Sequence, residues 1–431
     1  DASATAGMPT LVHDAAGRHA PFALTDIQQA YWLGRSDAFS IGNVAAHAYS
    51  ELELHMDASP VERMERALNA LIARHDMLRM VVAQDGTQRV LPAPGPYRLP
   101  FFDVSDAAPE TREATLLAVR DEMSHHVFAI DRWPLFDIRV GKLAPGHYRL
   151  YWSFDGLVLD GHSQQILIGE LQHLLRDPDA ALEPFSVTFR DYVLGLEAMR
   201  KTALYGRSQA YWLNRLDDFP TAPELPLAVD PSRITHPKFE RREFDLDTAR
   251  WSALRGRAQA LGVTASGLLL AAFADALAAW SKNPRFALNL TMFNRLPLHA
   301  DVGRMLGDFT SLTLLAIDQG AGDTFTDRCR RVQRQLWDDI EHRHYTGVEF
   351  MRELRRRNGG AVSMPVVFSS MLDLPSRSGS ADEGDGTRVE RGFSISQTSQ
   401  VWIDHQVSES ANGLHIAWDA VEALFPPGVL D

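Results

Sequence analysis

The stretch Asp155-Gly-Leu-Val-Leu-Asp-Gly-His-Ser163 places two carboxylates five residues apart, between an extended segment and a helical one. Residues 148–154 before it are mostly apolar and typical of a strand, and Leu and Ile residues recur at helical spacing through 166–175. Acidic groups at the end of a strand are placed where a fold can present chemistry. Asp, Gly and Ser are also common turn and helix-cap residues, so by itself the stretch favours a structural role.

The composition limits the possible partners. With 431 residues and 45% hydrophobic side chains, the chain is long enough for about two or three domains with real cores. A formal net charge of −13 argues against nucleic acid and anionic membranes, because both bind basic surfaces. The longest apolar stretch, 265–280, contains Asp275 and is too short to span a bilayer. We therefore expect no nucleic-acid or membrane partner.

Cys329 is the single cysteine, which excludes an intrachain disulfide and favours a reducing cytoplasm. Neighbouring arginines could activate its thiol, but an incidental, partly buried cysteine is the commoner case. The histidines within 160–162 and 342–344 lack a third neighbouring ligand, so we expect no metal site. No phosphate-binding glycine loop is present, so we expect no nucleotide or other cofactor held by the chain itself.

Helical and extended patterns alternate and predict an α/β fold. Helices are predicted at 60–74, 114–126, 247–261, 264–280 and 325–342, and strands at 80–82, 88–91, 148–154, 286–293, 310–317, 365–368, 400–404 and 414–418. A further helix is predicted after Ser163. The proline-rich segment 222–231 predicts a connector, and the polar segment 375–392 predicts a loop. Two halves of similar size predict two lobes with a cleft between them.

Seven segments match, in order, motifs of the heterocyclization domains of nonribosomal peptide synthetases. They are Phe22–Arg35 (FPLTxxQxAYxxGR), Arg74–Arg79 with Asp85–Gln88, Asp155–Ser163 (DxxxxDxxS), Pro223–Leu227, Gly307–Leu315 (GDFTxLxLL), Pro365–Leu372 (PVVFTSxL) and Ser396–Asp404. One match would be weak evidence, whereas seven in the right order are specific. The chain thus resembles a heterocyclization domain from residue 22 nearly to its end.

The resemblance implies a pseudodimer of two chloramphenicol-acetyltransferase-like lobes in a V shape, with a tunnel at the interface. We assign residues 1–21 to a linker, 22–190 to the N-terminal lobe and 191–431 to the C-terminal lobe. The residues 424–431 stop without a helix cap, so we expect a terminal helix to lie outside the chain. In the family the tunnel accepts phosphopantetheine arms from an upstream donor and a downstream acceptor carrier domain, beside an adenylation domain.

The resemblance also implies the reaction. The family joins the donor's acyl or peptidyl group to a carrier-bound Cys, Ser or Thr, then closes that side chain onto the new carbonyl and expels water, giving thiazoline or oxazoline. By resemblance, Asp404 handles the proton of ring closure, with help from Ser369 and Asn294. The family usually has Thr at the position of Ser369, and Ser lacks the methyl group that limits rotamers, so its efficiency is open.

The acidic turn receives mainly structural roles. Asp160 is expected to pair with Arg295 across the lobes, since a guanidinium can bind a carboxylate through two parallel hydrogen bonds. Ser163 completes the motif. Asp155 either orients the acceptor amine or braces the turn, and both roles stay open. Ordinary condensation domains have a second histidine where this chain has Gly156, so the imidazole that they can use is missing here.

Three alternatives accompany this assignment. The domain could only condense or only cyclize, as a member of a tandem pair. It could also be a non-catalytic docking domain for carrier proteins, although the retained polar residues of the tunnel argue against this. Free acetyl transfer is disfavoured, because in the related fold that activity relies on a tunnel histidine.

Overall fold

The computed structural model describes residues 7–36, 40–56, 59, 61–320, 323–360, 362–372, 388–410 and 412–431. Ten α-helices lie within these ranges. They are α1 (Asp26–Gly34), α2 (Val61–Arg74), α3 (Pro109–Ser124), α4 (Gly161–Arg176), α5 (Phe189–Met199), α6 (Ala203–Leu213), α7 (Thr248–Leu261), α8 (Ala265–Trp280), α9 (Phe325–Glu341) and α10 (Gly347–Arg357).

Fourteen strands lie within the same ranges. They are β1 (Phe22–Ala23), β2 (His47–His55), β3 (Met80–Val82), β4 (Thr87–Val90), β5 (Phe101–Asp103), β6 (Phe136–Ala144), β7 (His147–Asp155), β8 (Phe239–Asp247), β9 (Arg285–Phe293), β10 (Thr310–Asp318), β11 (Val366–Ser370), β12 (Arg388–Gln397), β13 (Ile403–Ser410) and β14 (Gly413–Val421). Together with the helices they form the mixed α/β fold expected from the sequence.

Polar caps begin the two helices that frame the site. At the start of α1, Gln28 N donates to the Thr25 hydroxyl, and the Gln28 side chain accepts from Thr25 N, so each satisfies a free backbone donor. At the start of α4, Ser163 N donates to Asp160 Oδ1 at 2.6 Å. The acidic turn therefore also fixes where α4 begins, at Gly161 rather than after Ser163 as the periodicity predicts.

A five-stranded sheet in the order β12-β2-β7-β6-β5 forms around the first half of the chain. β2 and β7 are antiparallel, with His47 opposite Asp155 at the end of β7. Apolar side chains of β6 and β7 pack with those of α2 and α4 in one continuous core. The acidic turn leaves this sheet directly from its central strand, and its first carboxylate is thereby buried.

A six-stranded sheet in the order β10-β9-β11-β13-β14-β8 forms the second half. β11 runs parallel to both β9 and β13, and Ser369 lies opposite Thr291 on one side and Gln406 on the other. Helices α7, α8 and α9 supply much of the core against this sheet. The parallel centre places the polar residues of β11 and β13 side by side on one face.

Strand β12 joins the two halves. In sequence it lies between β11 and β13 of the second sheet, yet it pairs with β2 of the first sheet, from Arg388 opposite His55 to Gln397 opposite His47. In addition, α5 begins just before the predicted boundary at 190 and 191, and it packs into the core of the first half. The division into lobes at that position stays a prediction.

Most elements expected from the sequence are present with shifted ends. The hairpin of β3 and β4, the helices, and the pairing of β13 with β14 are as predicted. The strand expected at 400–404 begins only at Ile403, because Gln400 has a positive φ of 65°. The loop expected at 375–392 lies outside the described residues up to 387, and its last five residues instead open β12.

Among the described residues, no individual helix has both the length and the apolar character to cross a membrane. Helices α7 and α8 satisfy the length and composition criteria only when taken together, and they are bent by 96° relative to each other.

Candidate active site

Asp404 and Ser369 meet on neighbouring parallel strands. The Ser369 hydroxyl donates to Asp404 Oδ1 at 3.1 Å, and Gln406 Nε2 donates to Asp404 Oδ2 at 2.8 Å. Ser369 lies on β11 and the other two on β13, where residues two apart share a face. The Ser396 hydroxyl also lies 3.5 Å from Oδ2, so both carboxylate oxygens have neutral donors, which hold the group in a fixed orientation.

Asp419 forms a second layer behind this carboxyl. It lies opposite Asp404 in the pairing of β13 with β14 and is fully buried. Arg241 binds it through two hydrogen bonds of 2.7 and 2.6 Å, and the Ser396 hydroxyl donates to it at 2.7 Å. Gln406 Nε2 lies within 3.1 Å of Asp419 Oδ2, so this amide connects the two carboxyl groups.

The pKa of Asp404 is raised to about 6, chiefly by burial and then by the negative charge of Asp419. The hydrogen bonds from Gln406 and Ser369 and the charge of Arg241 act in the opposite direction. A carboxyl with this pKa is present in both protonation states near neutrality. The group is therefore suited both to accept a proton and to return it.

Asp160 connects the acidic turn to the loop after β9. Arg295 Nη2 donates to Asp160 Oδ1 at 3.2 Å and to the Ser163 hydroxyl at 2.7 Å. Asp160 Oδ2 also accepts from Phe309 N at 3.2 Å. Asp160 and Arg295 form the predicted pair, but through one hydrogen bond and not two parallel ones, because cap and loop contacts already occupy the carboxylate and the second bond of Nη2 goes to Ser163.

Asp155 is fully buried and paired with Arg35 of the opening motif. Its Oδ1 accepts from Leu157 N at 3.0 Å. A Cβ at the next position, Gly156, would lie 2.9 Å from Ala46 Cβ and 3.2 Å from its carbonyl oxygen on the entry to β2. The geometry therefore supports the bracing role for Asp155 and leaves no space for a histidine at 156.

The chain matches the profile of the condensation domain over residues 21–427. Its structure is similar to the cyclization-docking bidomain of the synthetase EpoB from Sorangium cellulosum, with a TM-score of 0.88 and 37% identity, covering 99% of this chain and 85% of that one. The chain belongs to the condensation-domain family, among the cyclization domains of nonribosomal peptide synthetases. Its fold is accordingly the mixed α/β fold of two chloramphenicol-acetyltransferase-like lobes.

Two curated relatives agree with this cyclization domain over most of its length. The pyochelin synthetase PchF of Pseudomonas aeruginosa is 41% identical over 95% of the chain, and the phenyloxazoline synthase MbtB of Mycobacterium tuberculosis is 36% identical over 95%. The chain spans only 22% of the first and 29% of the second. The similarity therefore concerns one domain of much longer proteins.

Asn294 of this cyclization domain lies apart from Asp404. Asp404 and Asn289 lie opposite the same residue of β11, Val367, on its two sides. Asn294 follows Asn289 by five residues, which corresponds to about 16 Å along the strand direction. Within the described ranges no hydrogen bond joins the Asn294 side chain to Asp404 or Ser369. The sequence thus predicted two neighbours correctly as a contact pair, while the third faces a different part of the domain.

Asn294 instead lines an open cavity. The walls come from α1, α5, the turn between α9 and α10, and the start of β10. Asp308 also lines it, and burial raises the pKa of this carboxyl well above its usual value, with the charge of Asp160 adding to the effect. In the part of the chain that the structure describes, no His, Cys, Asp and Glu side chains cluster as a metal site would require.

The cyclization domain uses residues that the sequence patterns missed. Gln406 follows Asp404 by two positions in one strand, so strict alternation could have identified it. Asp419 becomes apparent only once the register of β13 with β14 is known. Arg241 is 178 positions from Asp419 and has no local signal. Cys329 is fully buried, and burial raises the pKa of its thiol, so the structure does not favour an activated cysteine.

Proposed function

We propose that the chain joins a carrier-bound acyl or peptidyl thioester to a carrier-bound Cys, Ser or Thr, and then cyclodehydrates the product to a thiazoline or oxazoline. The observation that carries this proposal is the pair of Ser369 and Asp404, whose carboxyl has a pKa of about 6. The names of the relatives, a pyochelin synthetase and a phenyloxazoline synthase, support a heterocyclic product.

The first step is amide formation. The acceptor's α-amino group has an ordinary pKa near 8, so an appreciable fraction is neutral at pH 7. Its nitrogen attacks the thioester carbon, the C–S bond breaks, and the donor arm leaves as a thiol that takes the displaced proton. Holding amine and thioester together supplies much of the rate, so this step needs no strong base.

The second step closes the ring. The acceptor's thiol or hydroxyl adds to the new amide carbonyl, and the carbonyl π pair moves to oxygen. Asp404 as carboxylate accepts the proton of the nucleophile and delivers it to this oxygen, which becomes a hydroxyl. Protonated Asp404 then gives a proton to that hydroxyl as the C–OH bond breaks and water leaves, and the resulting carboxylate takes the amide N–H proton, which gives the C=N bond and restores the acid. One water is lost in total, and no oxidant or reductant is required.

Ser369 holds Asp404 during both transfers through its 3.1 Å hydrogen bond. The proposed partners are the two carrier domains and an adenylation domain, with substrates attached to phosphopantetheine of the carriers and no cofactor held by the chain. The proposed location is the cytoplasm. We keep Asn294 as a proposed participant, although its position assigns it to binding rather than to proton transfer at Asp404.

The test is to incubate the chain with both loaded carriers and to measure the intact mass of the products. We expect a product one water lighter than the linear amide. Asp404→Asn should still form the linear amide and should lower ring formation by about 100-fold, because it removes proton transfer and keeps the shape. Ser369→Thr should retain the ring.

Unchanged ring formation in Asp404→Asn would refute the assignment of the proton transfer. A wild-type chain that stops at the linear amide would show that it only condenses, and one that converts supplied linear amide without making it would show that it only cyclizes. Carrier binding without either product would indicate a docking domain.

A further inference from the structure

Arg343 is half-buried, and no acidic side chain of the described residues forms an ion pair with it. It lies in the turn between α9 and α10 and lines both the open cavity and a second pocket that Asn294 also lines. Its Nε is buried without a hydrogen-bond partner, and among the described residues its side chain forms no ion pair. A guanidinium has five N–H donors and loses solvation when half-buried, so free donors here indicate a ligand.

The neighbouring arginine shows the contrast. Arg295 donates to the carbonyl oxygens of Val302 and Met305 at 2.8 and 2.7 Å, and to Asp160 and Ser163 as well. Its Nε is buried without a partner like that of Arg343, but both of its Nη atoms are engaged in holding the loop. In the described residues, the Arg343 side chain makes no hydrogen bond of this kind.

Asn294 offers further donors beside Arg343. Its backbone is fixed, because its N–H donates to Phe309 O at 3.0 Å and its carbonyl oxygen accepts from the Tyr192 hydroxyl at 3.0 Å. Its side-chain amide has no partner in the described part of the chain. The two residues line both pockets together, so their free N–H groups face the same space.

The charges around the cavity favour an uncharged oxygen over a phosphate. Arg200 and Arg343 face Asp26, Glu197 and Glu349 among the lining residues, so the walls carry no excess of positive charge. Asp26 is already bound by Arg200 and Arg352 at 2.9 Å each. A phosphate group would need uncompensated cations, whereas an amide or thioester carbonyl needs only donors.

We propose that Arg343 and Asn294 together bind a carbonyl oxygen, amide or thioester, of the pantetheine-linked chain that occupies this cavity. The inference rests on the proposed function and adds a substrate-binding residue, Arg343, that neither the motifs nor the register identifies. The carbonyl fits both residues, because its oxygen can accept two hydrogen bonds at once. Arg343 supplies the stronger, charge-assisted bond.

The experiment measures binding of S-acetylpantetheine to the 431-residue chain by calorimetry, separately from turnover. Arg343→Met retains the length of the side chain and removes its donors, and we expect about fivefold weaker binding. Arg343→Lys should lie between the two, because it keeps the charge and loses the planar fork. The double variant with Asn294→Ala should lose less than the product of the single losses, since both groups bind one oxygen.

The matched control is Arg334→Met on the exposed side of α9, which makes the same change of charge outside the cavity and should bind as the wild type. Equal melting temperatures exclude misfolding, and if Arg343→Met does not fold, Arg343→Lys and Asn294→Ala carry the test. Unchanged binding in these variants overturns the inference even where amide and ring still form. Loss of binding in a chain whose wild type makes no product would sustain this subsite and reject the proposed function.

Discussion

The surroundings of Asp404 raise the pKa of its carboxyl, so the reaction in which we propose it takes part should depend on pH. With a pKa of about 6, the carboxyl is mostly protonated below pH 6 and mostly ionised above it. Expulsion of the hydroxyl needs the protonated form. We therefore expect the ratio of ring to linear amide to fall as pH rises from 6 to 8, by about tenfold per unit where this step limits the rate.

Two substitutions should move this profile in opposite directions. Asp419→Asn removes the charge that raises the pKa of Asp404 and leaves Arg241 nearby, so the midpoint should shift to lower pH. Gln406→Met removes a hydrogen bond to the carboxylate, so the midpoint should shift to higher pH. The product ratio against pH gives both midpoints, and shifts of the same sign would contradict this account.

At the residue scale, the resemblance to the family predicted that Ser369 assists Asp404. The residues that shift the pKa of Asp404 became apparent only in the structure. The motifs placed Ser369 beside Asp404, and the structure has them at 3.1 Å. Besides burial, the pKa of Asp404 is raised by Asp419 and lowered by Arg241, which come from β14 and β8. Their arrangement is set by long-range strand pairing, for which a single sequence has no local signal.

At the scale of elements, the start of α4 and the loop after β9 are held together through Asp160. Asp160→Ala removes the helix cap and leaves Arg295 without its buried carboxylate, so the free energy of unfolding should fall by about 3 kcal/mol. Asp160→Asn keeps a cap and should lose less. Urea denaturation measures both, and a fully stable Asp160→Ala that lacks only activity would refute the bracing role.

Gly156 sets how closely the acidic turn approaches β2. Gly156→His brings a Cβ to 2.9 Å from Ala46, so the chain cannot regain the histidine of ordinary condensation domains without moving the strand. We expect a lower melting temperature and no gain in amide formation. The control is Gly256→Ala in α7, where an added Cβ meets nothing within 4 Å. This substitution should stabilise the helix by about 1 kcal/mol.

The elements themselves were largely predictable, because apolar spacing decides helix and strand locally. Their ends were not. The strand of Asp404 begins later than predicted because the backbone at Gln400 turns first, and α4 begins earlier because Asp160 caps it. Such ends depend on cap and turn geometry, which tolerates several sequences.

At the scale of the whole molecule, β12 is the element that the sequence could not place. Its residues lie 333 (Arg388 to His55) to 350 (Gln397 to His47) positions from those with which they pair, far beyond any local signal, and part of it falls in a segment predicted as a loop. Burial of Ile395 and pairing with β2 fix it in the first sheet. Two halves of similar size were predictable, whereas this exchange of a strand between them was not.

That exchange links the acid strength of the Asp404 carboxyl to the relative position of the two sheets. Ser394 and Ser396 belong to the first sheet through β12, yet they bond Arg241 and Asp419 of the second. If the two sheets move apart, these hydrogen bonds lengthen, and the electrostatic field at Asp404 changes. Docking of a carrier that spreads or closes the halves would therefore tune proton affinity at a distance, without touching the carboxyl.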